Sequence, residues 1–181
     1  LELNKFILLG HSMGGKVAML FAQRYKNMLE KLIVVDIGIK AYPMHHQHIL
    51  AGLHALNLEK TKARSEAEAV LKQYIDSDGV RQFLLKNLYW KDKGQLAFRM
   101  NLPVLEREME DILGALPFKE VFIPTLFIRG QMSNYILDED ISELEEYFPD
   151  SSLVTIPNAG HWVHAEAPDA FIDEVLGFCL R

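Results

Sequence analysis

A serine in a glycine-flanked turn is the first residue of this chain whose setting suggests chemistry. Residues 5–20 read K-F-I-L-L-G-H-S-M-G-G-K-V-A-M-L, and Gly10-His11-Ser12-Met13-Gly14 matches the pattern Gly-x-Ser-x-Gly. An apolar run precedes the turn and a helical pattern follows it, which is the setting that presents a serine oxygen for attack on a carbonyl carbon. We therefore predict that Ser12 is a nucleophile rather than only a helix cap. Both flanking glycines are expected to be required, because side chains there would clash.

A serine nucleophile needs a donor for the oxyanion and a base for its proton. The backbone N–H of Met13, at the predicted helix start, is expected to face the oxyanion. Gly160-His161-Trp162 lies in a loop after the last predicted strand. An early serine followed by a loop histidine near the end fits the chain order serine, acid, histidine. We predict His161 as the base, the alternative being a histidine held in surface hydrogen bonds, and we expect His164 to pack or cap.

The acid of such a triad is harder to place. After the third predicted core strand, Gly130-Gln131-Met132 is followed by Ser133, where an aspartate would be expected, and the next carboxylate is Asp138. The end of the strand after the nucleophile helix offers the other approach, and Asp36 stands there. A carboxylate at the end of a buried strand is costly without partners, which favours function over turn capping. We predict that Asp36 orients His161, and that Ser133 bonds between the two rather than being a plain turn serine.

Strand and helix patterns at both ends of the chain are expected to position these residues. The apolar run 6–9 and the β-branched, apolar run 32–36 predict strands, 121–129 and 153–156 are further strand candidates, and helices are predicted over 16–25, 138–147 and 168–180. Unbroken apolar strands that alternate with helices indicate a parallel sheet buried on both faces. We predict an α/β core built from residues 1–39 and 119–181.

The intervening residues 40–118 have a different character. They are rich in Ala, Leu, Glu, Gln and Lys, and they predict helices over 44–56, 65–76, 78–88 and 103–113, with an extended piece over 95–100. We interpret them as a helical cap inserted into the core. Within it, His45, His46, His48 and His54 form a cluster, but no carboxylate or cysteine completes a metal-ligand spacing. We expect polar cap residues there, and neither a metal nor a cofactor.

Composition limits the remaining function classes. The 181 residues are 49% hydrophobic and 24% charged, with a net charge of −6, which argues against a nucleic-acid surface and leaves small-molecule chemistry open. No apolar run approaches the roughly 20 residues that span a bilayer. The single cysteine, Cys179, excludes an internal disulfide and fits a reducing compartment. With no basic segment or cleavage site at its start, the chain is expected to be cytoplasmic.

Several stretches resemble the α/β-hydrolase superfamily and, within it, the YbfF-type acyl esterases and thioesterases. The resemblance spans essentially the whole chain. The stretches that carry it are L-L-G-H-S-M-G-G-K at 8–16, V-V-D-I at 34–37, Q-F-L-L-K-N-L at 82–88, N-L-P-V-L at 101–105, F-I-R-G-x-x-S-x-Y at 127–135 and A-G-H-W-V-H-A-E-x-P at 159–168. The resemblance implies a four-residue set of Ser12, Asp36, Ser133 and His161. Gln131 and Met132 depart from it, since relatives often have Gly-Asn there.

The resemblance also implies an incomplete fold. In the superfamily the serine turn follows the fifth of about eight strands, so this chain would be the C-terminal part of a hydrolase, lacking the first four strands and the loop that supplies a second oxyanion donor. We expect it to need the missing N-terminal half or a covering chain. The expected activity is hydrolysis of carboxylic esters or acyl thioesters. The alternatives are other chemistry of the superfamily (lyase, C–C hydrolase or cofactor-free haloperoxidase) and a non-catalytic ligand-binding fragment.

Overall fold

The structure, a computed structural model, describes residues 5–44, 46–117 and 119–181. Its elements are, in chain order, β1 (Phe6–His11), α1 (Met13–Tyr25), β2 (Leu29–Val35), α2 (Gln47–Ala55), α3 (Arg64–Leu71), α4 (Asp78–Leu85), β3 (Leu88–Asp92), β4 (Gln95–Phe98), α5 (Leu102–Arg107), α6 (Met109–Leu113), β5 (Thr125–Gly130), α7 (Ile141–Tyr147), β6 (Ser151–Ile156), α8 (Val163–Glu166) and α9 (Pro168–Cys179). Short 3-10 helices cover Lys26–Met28 and Asp138–Asp140. Two compact units result, Leu1–Ala41 with Ala115–Arg181, and Tyr42–Gly114.

The first unit contains a parallel sheet whose strands lie in the order β1-β2-β5-β6. The predicted α/β class with a mostly parallel sheet is confirmed by this sheet and the helices that connect its strands. The two central strands are apolar throughout their middles because both of their faces are buried: 32–35 and 126–128 are at most 1% exposed. Burial of each such side chain stabilises the fold by roughly 1.5–3 kcal/mol.

The register of the sheet aligns the ends of its strands. His11 pairs with Val35, and Val35 pairs with Ile128, so the last residues of β1 and β2 stand beside Ile128, two residues before the end of β5. Because all four strands are parallel, their carboxyl ends meet at one edge, the edge at which such sheets place their ligands. The predicted strand over 121–129 begins later than expected, at Thr125, because Pro124 has no N–H to donate to a neighbour.

The second unit has its own core, and it is less helical than predicted. Its cluster of buried side chains comprises Leu53, Leu56, Ala67, Leu71, Ile75, Leu84, Leu85, Leu88, Leu96 and Leu102. The helix predicted over 78–88 ends at Leu85, and Leu88–Asp92 pairs with Gln95–Phe98 in an antiparallel hairpin. Gly94 closes the hairpin with φ 77°, a conformation that favours glycine. The helix predicted over 103–113 is two helices, separated at Glu108.

No helix in the described part of the chain is both long and apolar enough to cross a membrane.

Candidate active site

Ser12 stands at the junction between β1 and α1. Its φ of 55° and ψ of −124° break the strand sharply before the helix begins at Met13. The turn is held by the amide of Ser12, which donates to Val35 O at 2.9 Å, and by the carbonyl of Ser12, which accepts from Gly15 N at 2.8 Å. A positive φ is unfavourable for a residue with a side chain, by about 1–3 kcal/mol. The surrounding bonds maintain this conformation, which lifts the serine oxygen above the sheet.

A second positive φ occurs where β2 ends. Asp36 has φ 50° and is fully buried. Its amide donates to Ile128 O at 2.7 Å, and its Oδ1 accepts from the amide of Gly130 at 3.1 Å. A buried carboxylate is stabilised by several donors. The ends of β2 and β5 together therefore provide a site in which Asp36 is satisfied.

His161 lies between Ser12 and Asp36. Its Nδ1 is 2.8 Å from Asp36 Oδ2 and its Nε2 is 3.0 Å from Ser12 Oγ, with 21% of the side chain exposed. An ionised carboxylate only accepts, so Nδ1 carries the proton and Nε2 has the free lone pair. The serine hydroxyl then donates to Nε2, which is the polarity that removal of its proton requires.

Ser133 completes the predicted group. Its hydroxyl donates to Asp36 Oδ2, the oxygen that His161 also contacts, and its Oγ accepts from the amide of Tyr135 at 3.2 Å. Ser133, predicted to bond between Asp36 and His161, makes its side-chain hydrogen bond to the Asp36 carboxylate. The structure brings all four predicted side chains together at the carboxyl ends of the strands.

Asp138, the first carboxylate after β5, is directed elsewhere. Its Oδ1 accepts from Arg129 Nη2 at 2.6 Å, and 86% of its side chain is exposed. The turn from Gly130 instead bonds to the loop after β6: Gln131 N donates to Ile156 O and Met132 N to Ala159 O. The Gln131 side chain adds a bond, since its Oε1 accepts from the amide of Asn158.

The prediction that both flanking glycines are required is wrong at one position. A Cβ atom at Gly10 would lie 2.2 Å from Gly14 O, whereas one at Gly14 would have no described atom within 4 Å beyond its chain neighbours and the nearby backbone of its own helix. The second crowded position is Gly15, where a Cβ would lie 2.4 Å from a methyl carbon of Ile37. The end of β1 and the first turn of α1 lie in close contact. Gly10 and Gly15 face this contact, whereas Gly14 points away from it.

Two aromatic residues at the site were not identified from the sequence. The ring of Tyr135 stacks on that of His161 with centroids 4.0 Å apart and an interplanar angle of 20°. His11 Nε2 donates to the backbone carbonyl of His161 at 2.8 Å. His11 stands inside the serine motif, where any residue is allowed, and Tyr135 lies in a loop. Both positions fall in stretches that resemble the superfamily, at 8–16 and 127–135, but the resemblance assigns neither residue a role.

The stacked ring of Tyr135 is expected to stabilise the imidazolium that forms when His161 takes a proton. Burial, with a smaller contribution from the charge of Asp36, raises the pKa of Tyr135, so its hydroxyl stays neutral at pH 7. An aromatic face over a cation contributes about 0.5–2 kcal/mol. Tyr135→Leu should therefore lower kcat by roughly 2- to 30-fold, while Tyr135→Phe keeps the ring and should retain most of the rate. Equal losses in both variants would assign the effect to the hydroxyl instead.

His11 is expected to make stability depend on pH. Burial lowers its pKa below the ordinary 6.5, and His161 and His164 lower it further, while its bond to the His161 carbonyl and the charge of Asp36 oppose this. Between the lowered pKa and 6.5 the unfolded chain binds more protons, so stability should rise with pH in that window and be complete above it. His11→Gln should flatten the rise in the unfolding free energy between pH 5 and 7.5, measured in urea.

An exposed histidine supplies the control for that titration. His48→Gln, in α2, makes the same substitution at an exposed position, and the slope of His11→Gln is compared with it. An unaltered slope in His11→Gln would contradict the assignment.

The histidine cluster of the second unit forms no ligand set in the described residues. His54 Nε2 is 2.9 Å from Glu106 Oε2 on an exposed surface, and His45 lies outside the described residues. Among the described side chains, no group of three His, Cys, Asp or Glu residues could hold a metal ion.

A parallel sheet with a serine turn after one strand, and an aspartate and a histidine after later strands, defines the class of α/β-hydrolases. Comparison with known proteins agrees: the profile of the α/β-hydrolase family matches residues 2–174. The chain belongs to this family.

The chain is similar to named relatives over nearly all of its length. It is 39% identical over 185 aligned residues to the sn-1-specific diacylglycerol lipase ABHD11 of Danio rerio, covering 98% of this chain and 58% of the relative. It is 34% identical over 172 residues to the esterase YbfF of Escherichia coli K12, covering 94% and 66%. A solved marine microorganism esterase is 39% identical with a TM-score of 0.93, covering 97% and 70%. The chain spans about 60% of the length of the first curated relatives that it matches.

Proposed function

We propose that this chain carries the nucleophile, base and acid of a serine hydrolase that cleaves carboxylic esters or acyl thioesters. The observation that carries the proposal is the continuous hydrogen-bond chain from Ser12 Oγ through His161 to Asp36, with contacts of 3.0 and 2.8 Å. Nucleophile, base and orienting acid within hydrogen-bond reach are what covalent catalysis by a serine requires.

The reaction proceeds in two halves. Ser12 Oγ attacks the carbonyl carbon while His161 Nε2 takes its proton, and the imidazolium is stabilised by Asp36. As the first residue of α1, Met13 has no acceptor within the helix for its N–H, which is offered to the oxyanion. His161 then protonates the leaving alcohol or thiol. In the second half His161 activates water, which releases the acid and restores Ser12.

The substrate is proposed as a small molecule with an acyl group on oxygen or sulphur. Similarity to proteins named as an esterase and as an sn-1-specific diacylglycerol lipase supports the oxygen esters. The thioester, of the acyl-CoA kind, rests on the resemblance to acyl esterases and thioesterases alone. Neither a metal nor a cofactor takes part in the proposed steps.

A serine-directed probe tests this proposal. A fluorophosphonate should label the native protein on the peptide that contains Ser12, and Ser12→Ala should abolish both the label and the hydrolysis of a nitrophenyl ester. Turnover of matched esters, thioesters and β-diketones would then rank the substrate classes. A folded protein that is not labelled would favour the ligand-binding alternative, and preferred cleavage of β-diketones would favour C–C hydrolysis.

Three proposals concern the whole protein. We propose that residues 40–118 act as a helical cap, that the compartment is the cytoplasm, and that activity needs a segment or chain beyond these 181 residues. The proposal that activity needs a further segment or chain is supported by the comparison with relatives, because this chain spans only part of their length. An intact-mass measurement of the native protein would reveal such a segment, and native mass spectrometry an associated chain. Full esterase activity of the 181-residue chain alone would contradict it.

A further inference from the structure

The loop that carries His161 is bound by a carboxylate that none of the proposed steps uses. Glu166 is the last residue of α8, directly after the loop. Its Oε2 accepts from the amide of Gly160 at 2.8 Å, and its Oε1 accepts from the amide of Trp162 at 3.0 Å. These two amides belong to the residues on either side of His161. One side chain therefore holds both flanks of the histidine.

A third bond holds the backbone of His161 itself. The carbonyl of His161 accepts from His11 Nε2 at 2.8 Å. Asn158, the second residue of the loop, has φ 57°, so the chain turns sharply before it reaches the histidine. With both flanking amides and its own carbonyl bonded, His161 has little freedom to move along the edge of the sheet.

Glycine at position 160 permits this arrangement. A Cβ atom there would lie 3.2 Å from Glu166 Oε2 and 3.4 Å from Oε1, which is tight for a carbon next to a carboxylate. The small residue lets the carboxylate approach the peptide N–H closely. Bonds from N–H groups to a carboxylate are shorter and stronger than bonds between neutral groups. The two oxygens of one planar group also fix a direction as well as a distance.

We propose that Glu166 is a positioning residue, whose carboxylate binds the amides of Gly160 and Trp162 and so holds the His161 imidazole between Asp36 and Ser12. The inference deepens the proposed function, because the effect of Glu166 on turnover rests on His161 being the base. Its structural consequence, a fixed His161 ring, does not depend on turnover. A displacement of about 1 Å in a reacting group is enough to lower a rate by about 100-fold, so modest loosening of this loop has a measurable effect.

Two variants of Glu166 separate positioning from general stability. Glu166→Gln is nearly isosteric and keeps one carbonyl oxygen, so one of the two bonds can persist. Glu166→Leu removes both acceptors. Glu174→Gln, in α9, is the control, because it removes an acidic charge from a side chain that makes no hydrogen bond to the loop in the described structure. All variants are made in the whole native protein.

The decisive measurement is proton and nitrogen NMR of His161, with its resonances assigned through a His161→Gln variant. In the unchanged protein the Nδ1 proton, bonded to Asp36, should give a slowly exchanging downfield signal. We expect this signal to disappear through exchange in Glu166→Leu, to weaken in Glu166→Gln and to persist in Glu174→Gln. The expected fall in kcat is between about 10- and 100-fold for Leu and about 3-fold for Gln, with KM unchanged.

The outcomes distinguish this inference from the proposed function. A signal that persists in Glu166→Leu with unchanged exchange, even if the melting temperature falls, would assign Glu166 a merely structural role and overturn the inference. If the unchanged protein hydrolyses no ester but loses the His161 signal in Glu166→Leu, the positioning role stands and the proposed function fails.

Discussion

Asp36→Asn is expected to lower kcat for a nitrophenyl ester by about four orders of magnitude, with little change in KM. In the unchanged protein the Asp36 carboxylate accepts a hydrogen bond from His161 Nδ1 at 2.8 Å. An asparagine can present its NH2 group to the same nitrogen, which places the ring proton on Nε2, facing Ser12. The base is then in the wrong tautomer and cannot accept the serine proton. The geometry survives the change, so the loss is expected in kcat.

Asp138→Asn is the matched control for this experiment. Asp138 is the first carboxylate after β5, the segment in which an acid was expected from the sequence, but it is 86% exposed and bonds Arg129. Its replacement should leave kcat within about 2-fold, because an exposed ion pair contributes at most about 1 kcal/mol to stability and makes no contact with the histidine. The reverse result, with Asp138→Asn inactive and Asp36→Asn active, would move the acid to the β5 loop.

Gly10→Ala is expected to destabilise the fold by about 3 kcal/mol, the upper part of the usual range for overpacking. The new Cβ would lie 2.2 Å from Gly14 O and 2.6 Å from the carbon of the same carbonyl, so backbone must move. For a domain of this size the melting temperature should fall by about 6–12 °C. The displaced turn carries Ser12, so fluorophosphonate labelling should slow as well.

Gly14→Ala tests the opposite side of the same turn. Its Cβ would meet no described atom within 4 Å, and it lies in the first turn of α1. Alanine is a better helix former than glycine, so the variant should be unchanged or more stable by up to about 1 kcal/mol. Equal destabilisation of the two variants, in urea unfolding, would contradict the assignment of the close approach to Gly10.

Local sequence patterns predicted most of the helices and strands, but they did not predict the hairpin formed by β3 and β4. The helix predicted over 78–88 reads well as far as Leu85. Beyond it, Tyr89 and Trp90 are of types that favour strands, and Gly94 marks the turn. These signals are present in the sequence, but a two-stranded hairpin of this length is marginal by itself. Leu88 and Leu96 are buried in the second unit's core, which stabilises a hairpin that local preference leaves undecided.

The residues around His161 illustrate a different kind of gap. The chain order of Ser12 and His161 and the strand-end position of Asp36 follow from elements that can be predicted one at a time. His11, Tyr135 and Glu166 act on the histidine through contacts that carry no local pattern. An ordinary exposed glutamate and a loop tyrosine look the same in sequence whether or not they touch the site.

The sequence by itself determined the alternation of strands and helices, the serine turn and the expectation that the site lies at the carboxyl ends of parallel strands. Those features depend on backbone preferences and on residues a few positions apart. Only the tertiary structure decided that the His161 imidazole lies 2.8 Å from Asp36 Oδ2 and 3.0 Å from Ser12 Oγ, and that His11 bonds the carbonyl of His161. The physical reason is that strand order and register bring together residues more than 100 positions apart, and an ångström there decides whether a hydrogen bond forms.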